Sequence, residues 1–176
     1  MLIAFNLISF QIGWFASVLG AANDMSWLGP MVVVLFFAAH LKINGHMVRE
    51  ISLGLKIIII GFVTDTLLTI YGVYTPKPFF FPAPYSPPWL IFLWLNFATL
   101  LNVSLKWLSH RYLLAVFLGG TGGALAYYGG SVFGVMTFNP PLVVNLLITG
   151  LVWAALTPLF FILSRFIDQK LAQQTT

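Results

Sequence analysis

Asp65 is the residue with the greatest capacity for chemistry. It stands in GFVTDTLLTIYG, residues 61–72, directly after the run Ile57-Ile58-Ile59-Ile60. If this stretch crosses a bilayer, the carboxyl lies near the centre, where an ionisable group is expensive and is a functional-site hypothesis by default. A protonated or paired carboxyl there fixes helix register. The alternative roles are proton relay, substrate contact or catalytic acid/base.

Helical phase gives Asp65 a direction. At about 100° per residue, Gly54, Gly61, Thr69 and Gly72 fall within about 40° of it. Small residues are what a membrane helix shows to a close neighbour, so the carboxyl is expected to point into a bundle. Lys56 falls about 180° away and is expected to snorkel to an interface. The partner must then come from another helix. Counted by depth, the mid-membrane polar candidates are Gln11, Asn96 and Thr121, and the expectation is that Asn96 or Gln11 meets Asp65. A second polar layer holds Asn6, His40, Asn102 and Lys106. Asn102 and Lys106 are one helical turn apart, which suits a lipid head group or a solvated helix end.

Other chemistries have weaker signatures. There is no cysteine, which excludes disulfides, thiolate metal sites and Cys nucleophiles. His40 and His46 are off one helix face from each other, and no HExxH spacing occurs, so no metal is expected. Ser17, Ser104 and Ser131 sit in no GxSxG elbow. The glycine-rich run LGGTGGALAYYGG, residues 118–130, lacks the GxxxxGK pattern of a phosphate loop. Gly119, Gly123 and Gly130 share a face, and the first two make a GxxxG. That face serves helix packing, or else offers a thin backbone surface to a ligand.

These residues need elements to position them. The chain has 176 residues, 60% hydrophobic and 7% charged. A soluble domain carries about 25% charged residues, so too few remain here to cover a water-facing surface. The class is an all-α polytopic membrane protein, read as a single transmembrane domain over 1–176. Six segments are long and apolar enough to span, at about 3–22, 27–43, 54–74, 88–106, 111–135 and 141–164. The first lacks a basic flank and is read as a retained span rather than a signal peptide.

The links are short. Asn23-Asp24-Met25-Ser26 forces spans one and two into a hairpin, with Asp24 or Ser26 as an expected N-cap. Residues 75–88, TPKPFFFPAPYSPP, contain six prolines. They are expected to form an extended interfacial strip, blocked from helix and sheet alike. The net charge of +4 reflects topology rather than nucleic acid. Lys42, Arg49, Lys56, Lys106, Arg111, Arg165 and Lys170 fall on one side of six alternating helices, and only Lys77 on the other. Both termini are therefore expected in the cytoplasm. A three-plus-three split would make an inverted repeat, but Asn6 and Asn96 are its only correspondence, too little to count as one.

FQIGWFASVLGA at 10–21, GFVTDTLL at 61–68, PPWLIFLWLNFATLLNVSLKWL at 87–108 and GGTGGALAYYGG at 119–130 resemble the bacterial membrane proteins of domain-of-unknown-function family 2878. Ala124 departs from it, since the family often has proline there. The resemblance implies a small multi-pass protein of the bacterial cytoplasmic membrane and no established activity. Asp65, Gln11, Trp14, Asn96 and Asn102 lie where the resemblance and the depth argument overlap.

The resulting expectation is a protein that binds or moves a lipid-like or small apolar molecule through a polar-lined interior centred on Asp65. The binding or proton-relay candidates are Asp65, Asn96, Gln11, Asn102, Asn6 and His40. The alternatives are an intramembrane lipid-modifying enzyme with Asp65 as acid/base, or a structural partner of a membrane complex. No cofactor is expected. The expected partners are membrane lipid and another membrane protein or a second copy of the chain, with no nucleic acid.

Overall fold

A computed structural model describes residues 2–174. The apolar runs fold as helices, the structure that satisfies backbone hydrogen bonds within one segment. There are six among the described residues: α1 Leu2–Ala22, α2 Leu28–Asn44, α3 Met47–Ile70, α4 Pro88–Leu101, α5 Tyr112–Val132 and α6 Leu142–Gln174. Four of them, α1, α3, α5 and α6, are long and apolar enough to cross a membrane; α2 and α4 are shorter apolar helices. Large aliphatic side chains such as Leu35, Ile59, Leu125 and Leu151 stand exposed on the outer surface. A soluble monomer rarely shows so continuous an apolar exterior.

Some boundaries move from the sequence expectation. α3 starts at Met47 rather than 54, which brings Glu50 into its first turn. α4 stops at Leu101, with Asn102 at its C-cap, and Lys106–Leu108 form a separate 3₁₀ turn. Asn102 and Lys106 therefore do not share a helix face. Neither Asp24 nor Ser26 caps α2, whose N-cap is Trp27 without a side-chain bond. Asp24 instead turns the chain at φ 61 and pairs with Lys77 at 2.8 Å.

The basic residues gather as alternation requires. Arg49, at the start of α3, approaches Asp168 near the end of α6 at 3.6 Å. Arg165 contacts His110 and Tyr112 at the start of α5. Lys77 lies at the opposite end, beside the α1–α2 turn.

The proline-rich link does pair as a strand, against expectation. β1 (Tyr74–Pro76) and β2 (Met136–Phe138) form a two-stranded antiparallel sheet. The pairing tolerates Pro76 because this small sheet is all edge, where a missing N–H costs nothing. Its register, Tyr74 opposite Phe138, Thr75 opposite Thr137 and Pro76 opposite Met136, is two-fold about the two threonines.

That register exposes a repeat of two helices, not three. IYGVYTPKP at 70–78 matches VFGVMTFNP at 132–140. Both helices end the same way. Gly72 and Gly134 take φ near +70, a conformation that favours glycine. Val73 N–H donates to Leu68 O at 2.9 Å, and Val135 N–H to Gly130 O at 3.0 Å. The α3–β1–α4 and α5–β2–α6 units thus face each other across an approximate two-fold axis. α3 and α5 run the same way through the bundle, so the repeat is parallel rather than inverted.

Candidate functional site

The repeat axis passes through the site. Asp65 and Tyr127 are 62 residues apart and hydrogen-bonded. The offset that matches Gly72 with Gly134 also matches Asp65 with Tyr127 and Gly61 with Gly123. Each glycine receives a tryptophan ring from the second helix of its own unit. A methyl group on Gly61 would overlap Trp94, and one on Gly123 would overlap Trp153. The two indoles stack at 4.5 Å between centroids and 4° between planes.

Asp65 is fully buried. Its Oδ1 accepts hydrogen bonds from Tyr127 OH at 2.6 Å and Tyr74 OH at 2.7 Å. Its Oδ2 accepts from Trp94 Nε1 at 2.7 Å and, more distantly, from Ser86 Oγ at 3.5 Å. The donors come from α5, β1, α4 and the α3–α4 link, so the carboxyl ties four segments to α3. Short bonds to both oxygens are what a carboxylate takes in place of water. Asp65 also lies between two apolar clusters. Tyr74 and Tyr127 belong to one, Trp94 to the other.

Asn96 and Gln11 do not meet Asp65. Asn96 Nδ2 donates to Phe10 O on α1 at 2.8 Å, under Gly13. Trp94 and Asn96 are two residues apart, about 200° around the helix, so one faces α3 while the other faces α1. The expectation sought the partner among amides and hydroxyls at the right depth. The three close donors are aromatic residues whose polar tips are easily counted as core. Thr121 bonds its own helix, to Phe117 O at 2.8 Å.

The second layer divides in two. Asn6 donates to Thr99 O at 3.1 Å and accepts from Ser104 Oγ at 2.6 Å, sealing α1 to α4. His40 and Asn102 instead converge on Glu50, which the sequence reading missed. Glu50 Oε1 accepts from Arg49 at 2.7 Å, Asn44 at 3.0 Å and Asn102 at 3.1 Å. His40 Nε2 lies 3.3 Å from Oε2, and Asn102 Oδ1 accepts from Ser164 at 2.7 Å. Reading residues 44–53 as a link hid this buried carboxylate; an acidic residue suited to a first helical turn was the available signal. Among the described residues no group of three or more His, Cys, Asp or Glu side chains is arranged to hold a metal.

A cavity of about 420 Å³ lies beside the Asp65 cage, between α1 and α5 and floored by α4. Rings of Phe10, Trp14, Trp94, Phe97, Tyr127 and Trp153 line it, with Gly119, Gly122 and Gly123 along α5. α6 fills the Gly119 and Gly123 positions from one side. Gly122 is exposed, and a methyl group there would meet nothing within 4 Å. The glycine run thus both packs a helix and bares backbone to a cavity. Trp14 closes one end against Gly129 and Phe133. Gln11, Phe15, Leu118 and Gly122 are all exposed at the gap between α1 and α5. Asp65 is not in the lining. Trp94 and Tyr127 stand between it and the cavity, each with its polar tip on the carboxyl.

No curated protein and no solved structure matches the chain. The sequence pattern of a family described as "Protein of unknown function (DUF2878)" matches residues 3–159, a span that holds the Asp65 cage, the glycine run and the cavity walls. The chain belongs to that family.

Proposed function

We propose that this protein is an integral protein of the bacterial cytoplasmic membrane, with both termini in the cytoplasm, that binds a lipid-like or small apolar molecule in the cavity between α1 and α5. The carrying observation is that cavity: about 420 Å³, within the range of small-molecule sites, walled by aromatic rings and bare glycine. Its gap faces the surface that bears the exposed aliphatic side chains, so an apolar molecule enters sideways from the bilayer. The orientation rests on the basic residues at one end of the bundle. Asp65 serves as the brace of the wall: it holds Trp94 and Tyr127 by their polar tips while their rings face the ligand.

This reading stands ahead of the two others. An acid/base role would need substrate to pass Trp94 and Tyr127 to reach a carboxyl whose oxygens are already taken. A docking role for the glycine face would compete with α6, which occupies Gly119 and Gly123 within the chain.

The test is to fill the gap. Gly122→Phe adds a ring where there is open space, on a helix that gains propensity by losing glycine. The purified variant is expected to keep its unfolding free energy within about 1 kcal/mol of wild type. It is expected to lose quenching of its cavity tryptophans by a brominated octadecane. Equal quenching in variant and wild type would remove the cavity from the function.

A further inference from the structure

Gln11 is out of place on its wall. The carboxamides of Asn6, Asn96, Asn102 and Asn145, inside the charged ends of the bundle, each donate to a protein oxygen. Gln11 forms no hydrogen bond among the described residues, although it sits at mid-span on α1. It lines the cavity and is exposed. The indole N–H of Trp14, one turn further along the same wall, likewise has no protein acceptor among the described residues. In hydrocarbon an unanswered amide costs several kcal/mol, and lipid chains offer it nothing.

We infer that the cavity takes a long-chain molecule bearing an acyl carbonyl, an ester or carboxylic acid, whose oxygen accepts a hydrogen bond from the Gln11 carboxamide. This rests on the cavity-binding reading above and narrows its ligand class. The apolar chain lies along Phe10, Phe97 and the glycines of α5, and the carbonyl stops at Gln11. A bare hydrocarbon would fit the rings but leave the amide unsatisfied. Discrimination of this kind arises when a polar group set among hydrocarbon must find its partner in the ligand.

The experiment compares two probes in the same detergent: a brominated octadecane and the methyl ester of the corresponding brominated octadecanoic acid. Quenching of tryptophan fluorescence reads the binding of each. Wild type is expected to bind the ester at least about fivefold more tightly, the worth of one hydrogen bond. Gln11→Leu and Gln11→Met remove the amide and are expected to bring the two probes to equal affinity. Thr121→Val, outside the cavity and bonded only to its own helix, is expected to keep the wild-type preference. Equal affinities in wild type, or a preference that survives both Gln11 substitutions, overturns the carbonyl assignment while leaving cavity binding intact. Quenching by neither probe, or equal quenching in Gly122→Phe, sinks the cavity reading itself. Should the Gln11 variants fail to fold, equal probe affinities in wild type alone overturn the proposal.

Discussion

The α3–β1–α4 and α5–β2–α6 units share a helix end, a strand and a glycine under a tryptophan, yet they differ at two places. One unit carries Asp65 where the other carries Tyr127, and the two side chains bond to each other. The first unit is packed shut along its glycines, with Leu95 against Gly54 and Trp94 against Gly61. The second leaves Gly122 bare beside a cavity. A symmetric scaffold has been divided in labour. One half supplies the carboxyl whose hydrogen bonds hold the axis together, and the other supplies the thin wall that makes room.

The largest way to break this arrangement is at the unmatched pair. Asp65→Leu leaves Tyr74, Tyr127 and Trp94 with buried donors and no acceptor. At about 1–3 kcal/mol for each, the loss is expected to exceed about 4 kcal/mol and to abolish recovery of folded protein from the membrane. Asp65→Asn keeps one oxygen for Trp94 and turns an amide toward the phenols, whose oxygens can accept. It is expected to cost about 1–2 kcal/mol, read as a lowered thermal midpoint in detergent. Equal losses for Leu and Asn would mean that the charge, and not hydrogen bonding, holds the cage.

The matched positions test the symmetry itself. Gly61→Ala and Gly123→Ala each drive a methyl group into an indole, an overpacking expected to cost about 1–3 kcal/mol. Because Trp94 and Trp153 stack on each other, a shift in one is passed to the other. The double substitution should therefore cost less than the sum of the singles. Strictly additive losses would show two independent packings instead of one shared axis.

Much of this was legible in the sequence. Six helices, the gathering of positive charge at one end and the inward face of Asp65 followed from hydropathy, charge placement and helical phase. The partners of Asp65 did not follow, because depth counting treats Trp94, Tyr74 and Tyr127 as apolar bulk. Only contact reveals that their single polar atoms converge. Glu50 was hidden by a span boundary, since a helix end that carries Arg49 and Glu50 resembles a loop by hydropathy. The repeat was present as IYGVYTP and VFGVMTF, but it relates the ends of spans three and five, which a three-plus-three split never sets against each other. The cavity left a trace only in the clustering of glycines, whose two readings are decided by which side α6 occupies.

The smallest expected effect addresses the axis most directly. Thr75 and Thr137 are exposed and lie opposite one another in the sheet. Single substitutions there should change stability by no more than about 0.5 kcal/mol. Directly opposed residues in antiparallel strands have Cα atoms about 4.5–5.5 Å apart, inside the reach of a disulfide. The native chain has no cysteine to interfere. The double variant Thr75→Cys with Thr137→Cys is therefore expected to cross-link within one chain under mild oxidation, detected as a mobility shift reversed by reductant. Thr75→Cys with Phe138→Cys should not, because adjacent strand positions point to opposite faces. Cross-linking of the second pair in place of the first would shift the register by one residue, move the two-fold off the threonines and separate Asp65 from Tyr127 as equivalent positions.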